Sequence, residues 1–463
     1  MRDRAIIVLD IGKTYAKLGL WAWDGGLIAR ESRANRFDGT TLDAVGIESW
    51  LADTLTDFAK RAHVGIIIPV AHGAAAALVC DGVLLCPPRD YEADIPTAVR
   101  TAYEALRDPF AETGSPALPQ GLNLGAQLYT QRELIRGSQI LLWPQYWAWL
   151  LSGVAASEVT SLGCHTDLWR PAEARPSDLV RHQGWAEALP PLRRAGDVLG
   201  PITPSWVART GLPRDTRIYC GLHDSNAALV AARGFAEMGG QESTTLSTGT
   251  WFVAMRTPAG DTQFNPADLP AGCDCLLNVD VLGQPIPSAR WMGGRESEEL
   301  TGDGVRIDDP EAQADMVAAV ADVVQTGGMI LPCFAPNFGP FGGMAGSWSH
   351  QPQGDIARAS RVALYAALVT NESLNLIGAR NHILIEGRFA ASQVFTRALA
   401  RLRPCDTIYT SGTENDVSFG ALRLVNPMLN PQGKLSKVAA LDIDLLPYAQ
   451  LWRHTVALRE GKS

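Results

Sequence analysis

Ile6-Ile7-Val8-Leu9-Asp10-Ile11-Gly12-Lys13-Thr14 begins as an apolar strand and ends in a short turn with a carboxylate, a glycine, a lysine and a hydroxyl. A second apolar segment, 16–23, follows at once. The turn Asp24-Gly25-Gly26 then leads into the third apolar segment, 27–29. Asp-Gly and Gly-Gly between apolar runs are hairpin signals, so the N-terminus is predicted to form a three-stranded antiparallel meander.

The first turn has the composition of a phosphate and cation site. Backbone N–H groups and a hydroxyl can bind phosphate oxygens, and Asp10 can hold Mg²⁺, usually through water. Glycine and aspartate are also common in turns that bind nothing. The turn alone is therefore equally compatible with the polar tip of an ordinary hairpin.

The chain is too long for one hydrophobic core. It has 463 residues, of which 46% are hydrophobic and 19% charged, as in folded globular proteins. Domains of about 100 to 250 residues are usual, which favours two domains. The glycine-containing segment 234–241 is the predicted boundary, and it gives domains 1–236 and 237–463.

Charge and hydropathy exclude some partners. The formal net charge of -9 and the lack of a basic run argue against nucleic acid. No apolar stretch of about 18 residues is present, so no membrane partner and a cytoplasmic location are expected. The eight cysteines are predicted to be reduced core residues, because Cys273-Asp274-Cys275 lacks the spacing of a zinc site.

After the meander, a helix is predicted from Thr40 to Ala62, with Thr40 or Thr41 as N-cap, followed by a buried strand at 64–68. This order of antiparallel strands, helix and strand predicts an α/β domain of the ribonuclease H-like kind. A dinucleotide-binding fold would instead alternate strands and helices from its start.

A second acidic position follows a predicted strand at 217–222. Asp224 begins the segment His223-Asp224-Ser225, which leads into a helix. The carboxylate is compatible with an N-cap. The alternative is a catalytic base at the carboxyl end of a strand, where clefts of α/β proteins open.

The second half begins with a pattern similar to the beginning of the first. A strand at 244–246 leads into Ser247-Thr248-Gly249-Thr250, and a strand at 251–255 leaves it. Two such loops, one from each half, could hold a nucleoside triphosphate across a cleft. Farther on, Glu386-Gly387-Arg388 ends a strand and opens a helix, which is a weak signal of a nucleotide site.

Together these motifs resemble the FGGY carbohydrate kinase family. Five segments carry the resemblance in the right order: Asp10-Ile11-Gly12-Lys13-Thr14, Gly221-Leu222-His223-Asp224-Ser225-Asn226-Ala227-Ala228, Ser247-Thr248-Gly249-Thr250-Trp251, Ile385-Glu386-Gly387 and Phe419-Gly420-Ala421. The resemblance implies two domains of the actin and hexokinase superfold with a cleft between them. It also implies transfer of the ATP γ-phosphoryl group to a hydroxyl of a ketose or polyol.

The resemblance assigns roles to individual residues. Asp224 would be the general base, and Asp10 would hold Mg²⁺. ATP would contact a set of loop residues from both halves: Gly12, Lys13, Thr14, Ser247, Thr248, Gly249, Thr250, Gly387 and Arg388.

Three departures from the family pattern concern specificity. Lys13 stands where a small or hydroxyl residue is more usual, and its ammonium could reach a phosphate or point to solvent. Arg388-Phe389 replaces the second glycine of the adenine site, where either side chain could stack on the base or crowd it. Arg89-Asp90-Tyr91-Glu92 replaces the usual sugar segment and is otherwise compatible with a solvated surface loop.

The predicted sugar ligands besides Asp224 are Asp90 and Glu92, with His72 and Gln127 as weaker choices. The predicted substrate is a ketopentose or ketohexose, of the L-rhamnulose or L-fuculose kind. The alternative is a sensor of sugar or nucleotide on the same fold, which would not need a base at Asp224. The sequence does not determine the oligomeric state, and a homodimer is kept as an option.

Overall fold

The computed structural model describes residues 4–36, 39–260, 264–411, 417–431 and 433–460. Each half of the chain contains one large mixed sheet of seven strands, with helices packed against it. The strands of the first half come before residue 224 and those of the second half after residue 242. The boundary between residues 236 and 237 falls in this interval and stays a prediction.

The described residues of the first half form fourteen strands, several of them very short. They are β1 (Ala5–Ile11), β2 (Tyr15–Trp21), β3 (Leu27–Ala34), β4 (Val64–Ala71), β5 (Ala76–Cys80), β6 (Val83–Leu84), β7 (Gln139–Leu142), β8 (Ser157–Glu158), β9 (Trp169–Arg170), β10 (Arg175–Pro176), β11 (Leu192–Arg193), β12 (Val198–Pro201), β13 (Arg217–Tyr219) and β14 (Leu222–His223).

Ten α-helices are formed by the part of the first half that the structure describes. They are α1 (Ala44–Arg61), α2 (Thr97–Glu104), α3 (Phe110–Thr113), α4 (Leu124–Thr130), α5 (Arg132–Ile135), α6 (Trp143–Ser152), α7 (Val159–Leu162), α8 (Asp178–His182), α9 (Pro204–Thr210) and α10 (Asp224–Ala232).

The second half is built from fewer and longer elements. Its strands are β15 (Ser243–Thr248), β16 (Phe252–Thr257), β17 (Cys275–Val279), β18 (Pro285–Trp291), β19 (Ile330–Leu331), β20 (Ser347–Trp348), β21 (His382–Gly387), β22 (Thr407–Ser411) and β23 (Leu435–Lys437). Its helices are α11 (Gly293–Thr301), α12 (Gln313–Gln325), α13 (Asp355–Leu376), α14 (Gln393–Leu402), α15 (Val417–Val425) and α16 (Leu446–Glu460).

The predicted meander is confirmed, because β1, β2 and β3 pair antiparallel in that order. On its other side β1 pairs parallel with β4. Every residue of β1 and β4 is buried. Both strands are covered on both faces, which explains why they read as continuous apolar runs instead of alternating ones.

The first sheet has a break in the strand next to β4, on the side away from β1. β13 and β14 both pair parallel with β4, and Cys220 and Gly221 interrupt them. Gly221 has φ +79°, and a Cβ there would lie 2.2 Å from the carbonyl oxygen of Pro69. Only glycine fits this backbone without strain. Nε2 of Gln145 donates to the carbonyl oxygens of Cys220 and Gly221 at 3.3 and 3.1 Å, so the carbonyl groups at the break keep partners.

Helix α1 begins later than predicted. Asp43 is its N-cap and accepts from the backbone N–H of Gly46 at 2.9 Å, so the assignment of Thr40 or Thr41 to this role is wrong. Those two residues hold another segment instead. Thr41 forms a β-bridge with Arg89, and the carbonyl oxygen of Thr40 accepts from the N–H of Asp90 at 3.0 Å.

Helix α15 of the second half packs on α10 and on the first sheet. Phe419 and Ala421 share a buried cluster with Ile6, Val8 and Ala227. A Cβ on Gly420 would lie 1.8 Å from the carbonyl oxygen of Ala227, so this glycine allows the two helices to touch. The Phe419-Gly420-Ala421 motif therefore joins the two halves. Among the described residues, no helix has the length and apolar character needed to cross a bilayer.

Candidate active site

The carboxyl ends of three parallel strands meet at one edge of the first sheet. Ile11 of β1 and His223 of β14 both pair with Ala71 of β4, one from each side. The residues that follow these positions are Gly12, His72 and Asp224. Three segments that are far apart in the sequence thus lie side by side at the edge where α/β sites form.

Asp224 is the first residue of α10, and its side chain is 30% exposed. Its Oδ1 accepts from the backbone N–H of Ser225 at 2.6 Å and lies 3.2 Å from Nε2 of His223. Among the described residues, Oδ2 has no hydrogen-bond partner. One carboxylate oxygen is thus held by the protein, and the other can accept a proton from a ligand.

His72 follows β4 and is buried beside Tyr91, with ring centroids 5.6 Å apart. Its Nδ1 lies 2.8 Å from the carbonyl oxygen of Gly73, which can only accept, so Nδ1 carries the proton. Burial lowers the pKa of His72. The ring is therefore neutral near pH 7, and Nε2 presents a lone pair to a hydroxyl.

The ammonium of Lys13 is largely buried against the acidic loop, and its contact with a phosphate stays a prediction. It is hydrogen-bonded to Oδ1 of Asp90, lies 3.6 Å from Oε2 of Glu92 and stands 4.5 Å above the ring of Tyr91. Asp90 is buried, and its Oδ1 also accepts from the N–H of Glu92 at 2.8 Å. These contacts join the first turn to the two nominated sugar carboxylates.

Two nominated residues are held mainly by the protein itself. Gln127 is buried, and its Nε2 donates to the carbonyl oxygens of Ala74 and Gly121 at 2.7 and 2.6 Å. Thr14 is exposed at the tip of the first turn, and its carbonyl oxygen accepts from the N–H of Asn35 at 2.8 Å. Their predicted ligand contacts stay predictions.

Asp10 suits the role of a single magnesium carboxylate. It is buried near the end of β1, beside the Gly12 turn, and its Oδ2 lies 3.9 Å from Nζ of Lys17. Magnesium commonly binds one or two carboxylates and takes its other ligands from water and phosphate. The donor type and the position at the strand end therefore fit the ion.

The Ser247–Thr250 loop occupies the corresponding edge of the second sheet. β15 pairs parallel with β21, which sets Thr248 beside Gly387. The hydroxyl of Thr248 donates to the carbonyl oxygen of Glu386 at 2.5 Å. A Cβ on Gly387, which has φ +86°, would lie 2.1 Å from the carbonyl oxygen of Thr248. The two predicted nucleotide segments therefore touch each other.

The side chains after Gly387 turn away from this edge. Arg388 is paired with Glu298 and lies 4.5 Å above the ring of Phe389. Phe389 is buried in the core, 5.0 Å from the ring of Phe252, so this ring does not stack on a base. Nucleotide binding by Arg388 stays a prediction.

Three residues of the cleft had not been nominated from the sequence. Gly294 is the second residue of α11, and a Cβ there would lie 1.9 Å from the carbonyl oxygen of Gly249. Arg290 donates from Nε to Oδ1 of Asp274 at 2.8 Å. Burial raises the pKa of the Tyr91 hydroxyl, and the negative charges of Glu92, Asp224 and Asp90 raise it further. The positive charge of Arg290 lowers the same pKa. The signal that could have found Gly294 is the pair Gly293-Gly294 directly after an apolar strand.

Comparisons with known proteins find carbohydrate kinases. The model of the C-terminal domain of FGGY carbohydrate kinases matches residues 240–433. A carbohydrate kinase from Novosphingobium aromaticivorans, of known crystal structure, is 49% identical. That match covers 97% of this chain and 100% of the other, with a TM-score of 0.93.

More distant relatives have the same fold. Ligand-bound xylulose kinase from Lactobacillus acidophilus is 15% identical, with a TM-score of 0.79 and coverage of 99% of this chain and 97% of the other. A rhamnulokinase from Enterococcus faecalis is 28% identical over 176 residues, which is 37% of this chain. That match spans about a third of the rhamnulokinase, 34% of its length.

The predicted fold class is confirmed: the protein is α/β, with two actin/hexokinase-like domains. The family matched over residues 240–433 and the 49% identical carbohydrate kinase agree with the motifs that begin the chain. The chain belongs to the FGGY carbohydrate kinase family.

Proposed function

We propose that the protein transfers the γ-phosphoryl group of ATP to a hydroxyl of a ketopentose or ketohexose, of the L-rhamnulose or L-fuculose kind. The observation that carries this proposal is the pairing of Ile11 and His223 with the same residue, Ala71. This register sets the Asp10 turn and Asp224 at one sheet edge, which supports a base at Asp224 beside a cation site at Asp10.

Asp224 is the proposed general base. Its Oδ2, which has no partner among the described residues, accepts the proton of the attacking sugar hydroxyl. Its Oδ1 stays hydrogen-bonded to the backbone N–H of Ser225. The base is therefore held in place while the hydroxyl oxygen attacks the γ-phosphorus atom and the bond to the β-phosphate oxygen breaks.

The two glycine-containing loops are the proposed phosphate clamps. Phosphoryl transfer depends mainly on positioning and on neutralising the charge of the phosphoryl oxygens. Gly12 from the first half and Ser247–Thr250 from the second can supply backbone N–H groups for this purpose. Asp10 would hold Mg²⁺, which neutralises phosphate charge when it is bound. The use of ATP is also the reason to place the reaction in the cytoplasm.

The sugar site that we propose lies between His72 and the acidic loop. The lone pair on Nε2 of His72 can accept a hydrogen bond from one sugar hydroxyl. The carboxylate of Glu92 can accept a hydrogen bond from another. Lys13 forms a hydrogen bond with Asp90, so the buried side chain has a cationic partner. Neutral polyhydroxyl compounds suit this mixture of acceptors and one shared cation.

The test is ADP release, measured by a coupled assay with ATP and Mg²⁺ and with a panel of ketoses and polyols. We expect at least one ketose to raise ADP release well above the rate without sugar. Asp224→Ala should abolish this increase while ATP still binds.

Two outcomes would contradict the proposal. ADP release without dependence on sugar would indicate an ATPase. Tight sugar or nucleotide binding without turnover, in both the parent protein and Asp224→Ala, would indicate a sensor.

A further inference from the structure

Arg290 is a buried arginine that leaves most of its hydrogen-bonding capacity unused. Its side chain is 10% exposed, and of its guanidinium nitrogens only Nε has a hydrogen-bond partner among the described residues, Oδ1 of Asp274. Nη2 is buried and has no partner in that part of the chain. A buried donor without a partner costs free energy, which an acceptor from outside the chain would remove.

Two other buried arginines show the pattern of a structural role. Arg170 and Arg256 are 8% exposed, as Arg290 is. All three nitrogens of Arg170 donate to carboxylates. Arg256 donates from Nε to Glu242 and from Nη1 to the carbonyl oxygen of Ile377, and its Nη2 lies 2.6 Å from Oε1 of Glu242. Arg290 differs from both, because its Nη groups lack hydrogen-bond partners within the described part of the chain.

The guanidinium of Arg290 is held in one place. Besides the contact of Nε with Oδ1 of Asp274 at 2.8 Å, the carbonyl oxygen of Asp274 accepts from the backbone N–H of Arg290 at 3.3 Å. Oδ2 of Asp274 accepts in turn from the N–H of Gly339 at 3.3 Å. The guanidinium carbon lies 5.0 Å from the centre of the Trp251 ring, which is a cation–π distance. These contacts orient the group before a ligand binds.

Arg290 lies at the same sheet edge as the Ser247–Thr250 loop. In the register of β16 and β18, Arg290 stands opposite Val253, shortly after this loop. Trp251, which contacts Arg290, directly follows the loop. The guanidinium is therefore a neighbour of the proposed phosphate clamp.

Helix α10 runs along this sheet toward the same edge. At its C-terminal end, Arg233 donates from Nη2 to Oγ1 of Thr257 at 3.0 Å. One turn earlier, Leu229 shares a buried cluster with Met255 and Ile286. Toward its N-terminus the helix thus follows β16 from the last residue of that strand to the first.

This direction brings Asp224 level with Arg290. Asp224 begins α10 and lies about 14 Å from Arg233 along the helix axis, at about 1.5 Å per residue. Val253 lies about 14 Å from Thr257 along β16, at about 3.4 Å per residue. Since Val253 pairs with Arg290, the proposed base and the guanidinium lie at the same end of the contact between the two halves.

Tyr91 of the first half is near both charges. Burial is the main cause that raises the pKa of its hydroxyl, and the negative charges of Glu92 and Asp224 raise it further. The positive charge of Arg290 lowers the same pKa. Arg290 therefore acts across the cleft on the loop that faces it.

We propose that Arg290 is a further catalytic residue, which donates from its Nη groups to the oxygens of the phosphoryl group as that group passes from ATP to the sugar. This proposal rests on the function proposed above. The Ser247–Thr250 loop and Asp224 both lie beside Arg290, and the phosphoryl group is what passes between them. A guanidinium suits that group, because it forms strong, charge-assisted hydrogen bonds to phosphate oxygens.

The step consumes only ATP and sugar. The sugar hydroxyl oxygen forms a bond to the γ-phosphorus atom, the bond from that atom to the β-phosphate oxygen breaks, and its electron pair leaves with ADP. The hydroxyl proton passes to Oδ2 of Asp224. Arg290 keeps its protons throughout, and its positive charge stabilises the phosphoryl oxygens in the transition state.

The first test compares the parent with Arg290→Met and Arg290→Lys, for the sugar that gives the fastest ADP release. Loss of one preorganised donor to a transition state lowers kcat by about 10²- to 10³-fold, and we expect this loss in Arg290→Met. The KM values for ATP and sugar should stay within a few-fold of the parent. Arg290→Lys keeps the charge without the planar fork, so its kcat should fall between the two.

A binding measurement separates the phosphoryl contact from other roles. Aluminium fluoride, added with ADP, Mg²⁺ and the sugar, mimics the phosphoryl group in transfer. In calorimetry it should strengthen ADP binding to the parent, and Arg290→Met should lose most of this gain while its affinity for ADP alone stays unchanged. The matched control is Arg256→Met, which also removes a buried arginine paired with a carboxylate in the second half. That variant should lower Tm and keep the gain.

Three results would overturn the role of Arg290: a kcat of Arg290→Met within a few-fold of the parent, a loss confined to the KM for sugar, or an aluminium fluoride gain that survives the substitution. If thermal unfolding shows that Arg290→Met does not fold, Arg290→Lys decides in its place, and full activity of that variant overturns the role equally. A parent protein that phosphorylates no sugar in the panel would instead refute the proposed function, and the proposal for Arg290 with it.

Discussion

The two sheet edges that face the cleft differ in the chemical groups that they present. The edge of the first sheet carries titratable side chains, Asp10, His72 and Asp224, on three adjacent strands. The edge of the second sheet brings backbone groups together, because Gly387 and Gly294 each touch a neighbouring carbonyl group. The proposed function accordingly assigns proton chemistry to the first half and a close-fitting surface for phosphate and nucleotide to the second half. Removing a functional group should therefore harm the first edge, and adding a Cβ should harm the second.

The largest effect is expected for Asp224→Asn, which keeps the shape of the side chain and removes the base. Because a positioned general base contributes about 10² to 10⁴-fold, kcat should fall by that factor, while the KM for ATP changes little. Single-turnover and steady-state ADP release would measure the change. The control for loss of an acidic residue is Asp197→Asn. Asp197 directly precedes β12, and its carbonyl oxygen accepts from the N–H of Cys220 at 2.9 Å. A turnover within a few-fold of the parent would show that the first edge does not supply the base.

A Cβ at Gly387 should damage the second edge. With φ +86° and the carbonyl oxygen of Thr248 only 2.1 Å from the added carbon, Gly387→Ala should cost on the order of 1–3 kcal/mol of local strain and weaken ATP binding. The matched control is Gly283→Ala, which has φ +82° but no neighbour within 4 Å of the added carbon. Calorimetric ATP binding and thermal unfolding of both variants would separate crowding from backbone strain. Equal effects on ATP binding would contradict the role of close approach.

At the same sheet edge, Gly294 of α11 should be more sensitive to an added Cβ than Gly249 of the Ser247–Thr250 loop. An added Cβ on Gly294 would collide with the carbonyl oxygen of Gly249 at 1.9 Å, whereas a Cβ on Gly249 would have its nearest neighbour 3.9 Å away. Gly294→Ala should therefore lower Tm, while Gly249→Ala should leave Tm near that of the parent and reduce kcat only if phosphate approaches that backbone. Full activity and stability of Gly294→Ala would contradict the crowding argument.

Lys13→Met probes the link between the first turn and the sugar loop. Loss of the ammonium leaves the buried carboxylate of Asp90 without its hydrogen-bonded cation, so the free energy of unfolding should fall by about 1–3 kcal/mol. The KM for sugar should rise more than the KM for ATP. Denaturant unfolding and initial rates would measure both quantities.

The double variant Lys13→Met with Asp90→Asn tests the cause. It should recover part of the stability, because no unpaired buried charge remains, and it should not recover sugar affinity. A rise in the KM for ATP alone would show instead that the Lys13 ammonium reaches a phosphate.

The smallest effect is expected for Arg388→Ala. Its guanidinium is paired with Glu298 on a partly exposed surface, and such pairs contribute about 0–1 kcal/mol. The KM for ATP should change by a few-fold at most. A tenfold rise, with no similar rise in Glu298→Ala, would show that Arg388 leaves its partner to bind the nucleotide.

Much of the fold could be read from the order of elements. The meander, the buried strand of residues 64–68 and the strand that precedes His223 are local patterns of apolar residues and turn signals. The start of α1 was wrong because two threonines looked like an N-cap, whereas they hold the loop before Asp90. A contact between segments so far apart leaves no trace in local propensity.

The sequence by itself determined the family, the two glycine loops and Asp224, because turn glycines and a carboxylate after a strand are local signals that do not depend on distant packing. Only the tertiary structure decided what these residues touch. Lys13 lies against Asp90 and not against solvent, Gln127 bonds to backbone, and His223 stands between Cys164 and the base. These relations depend on the register of β1, β4 and β14. Register is set by the burial of entire strands, which is a property of the folded sheet and not of any short segment.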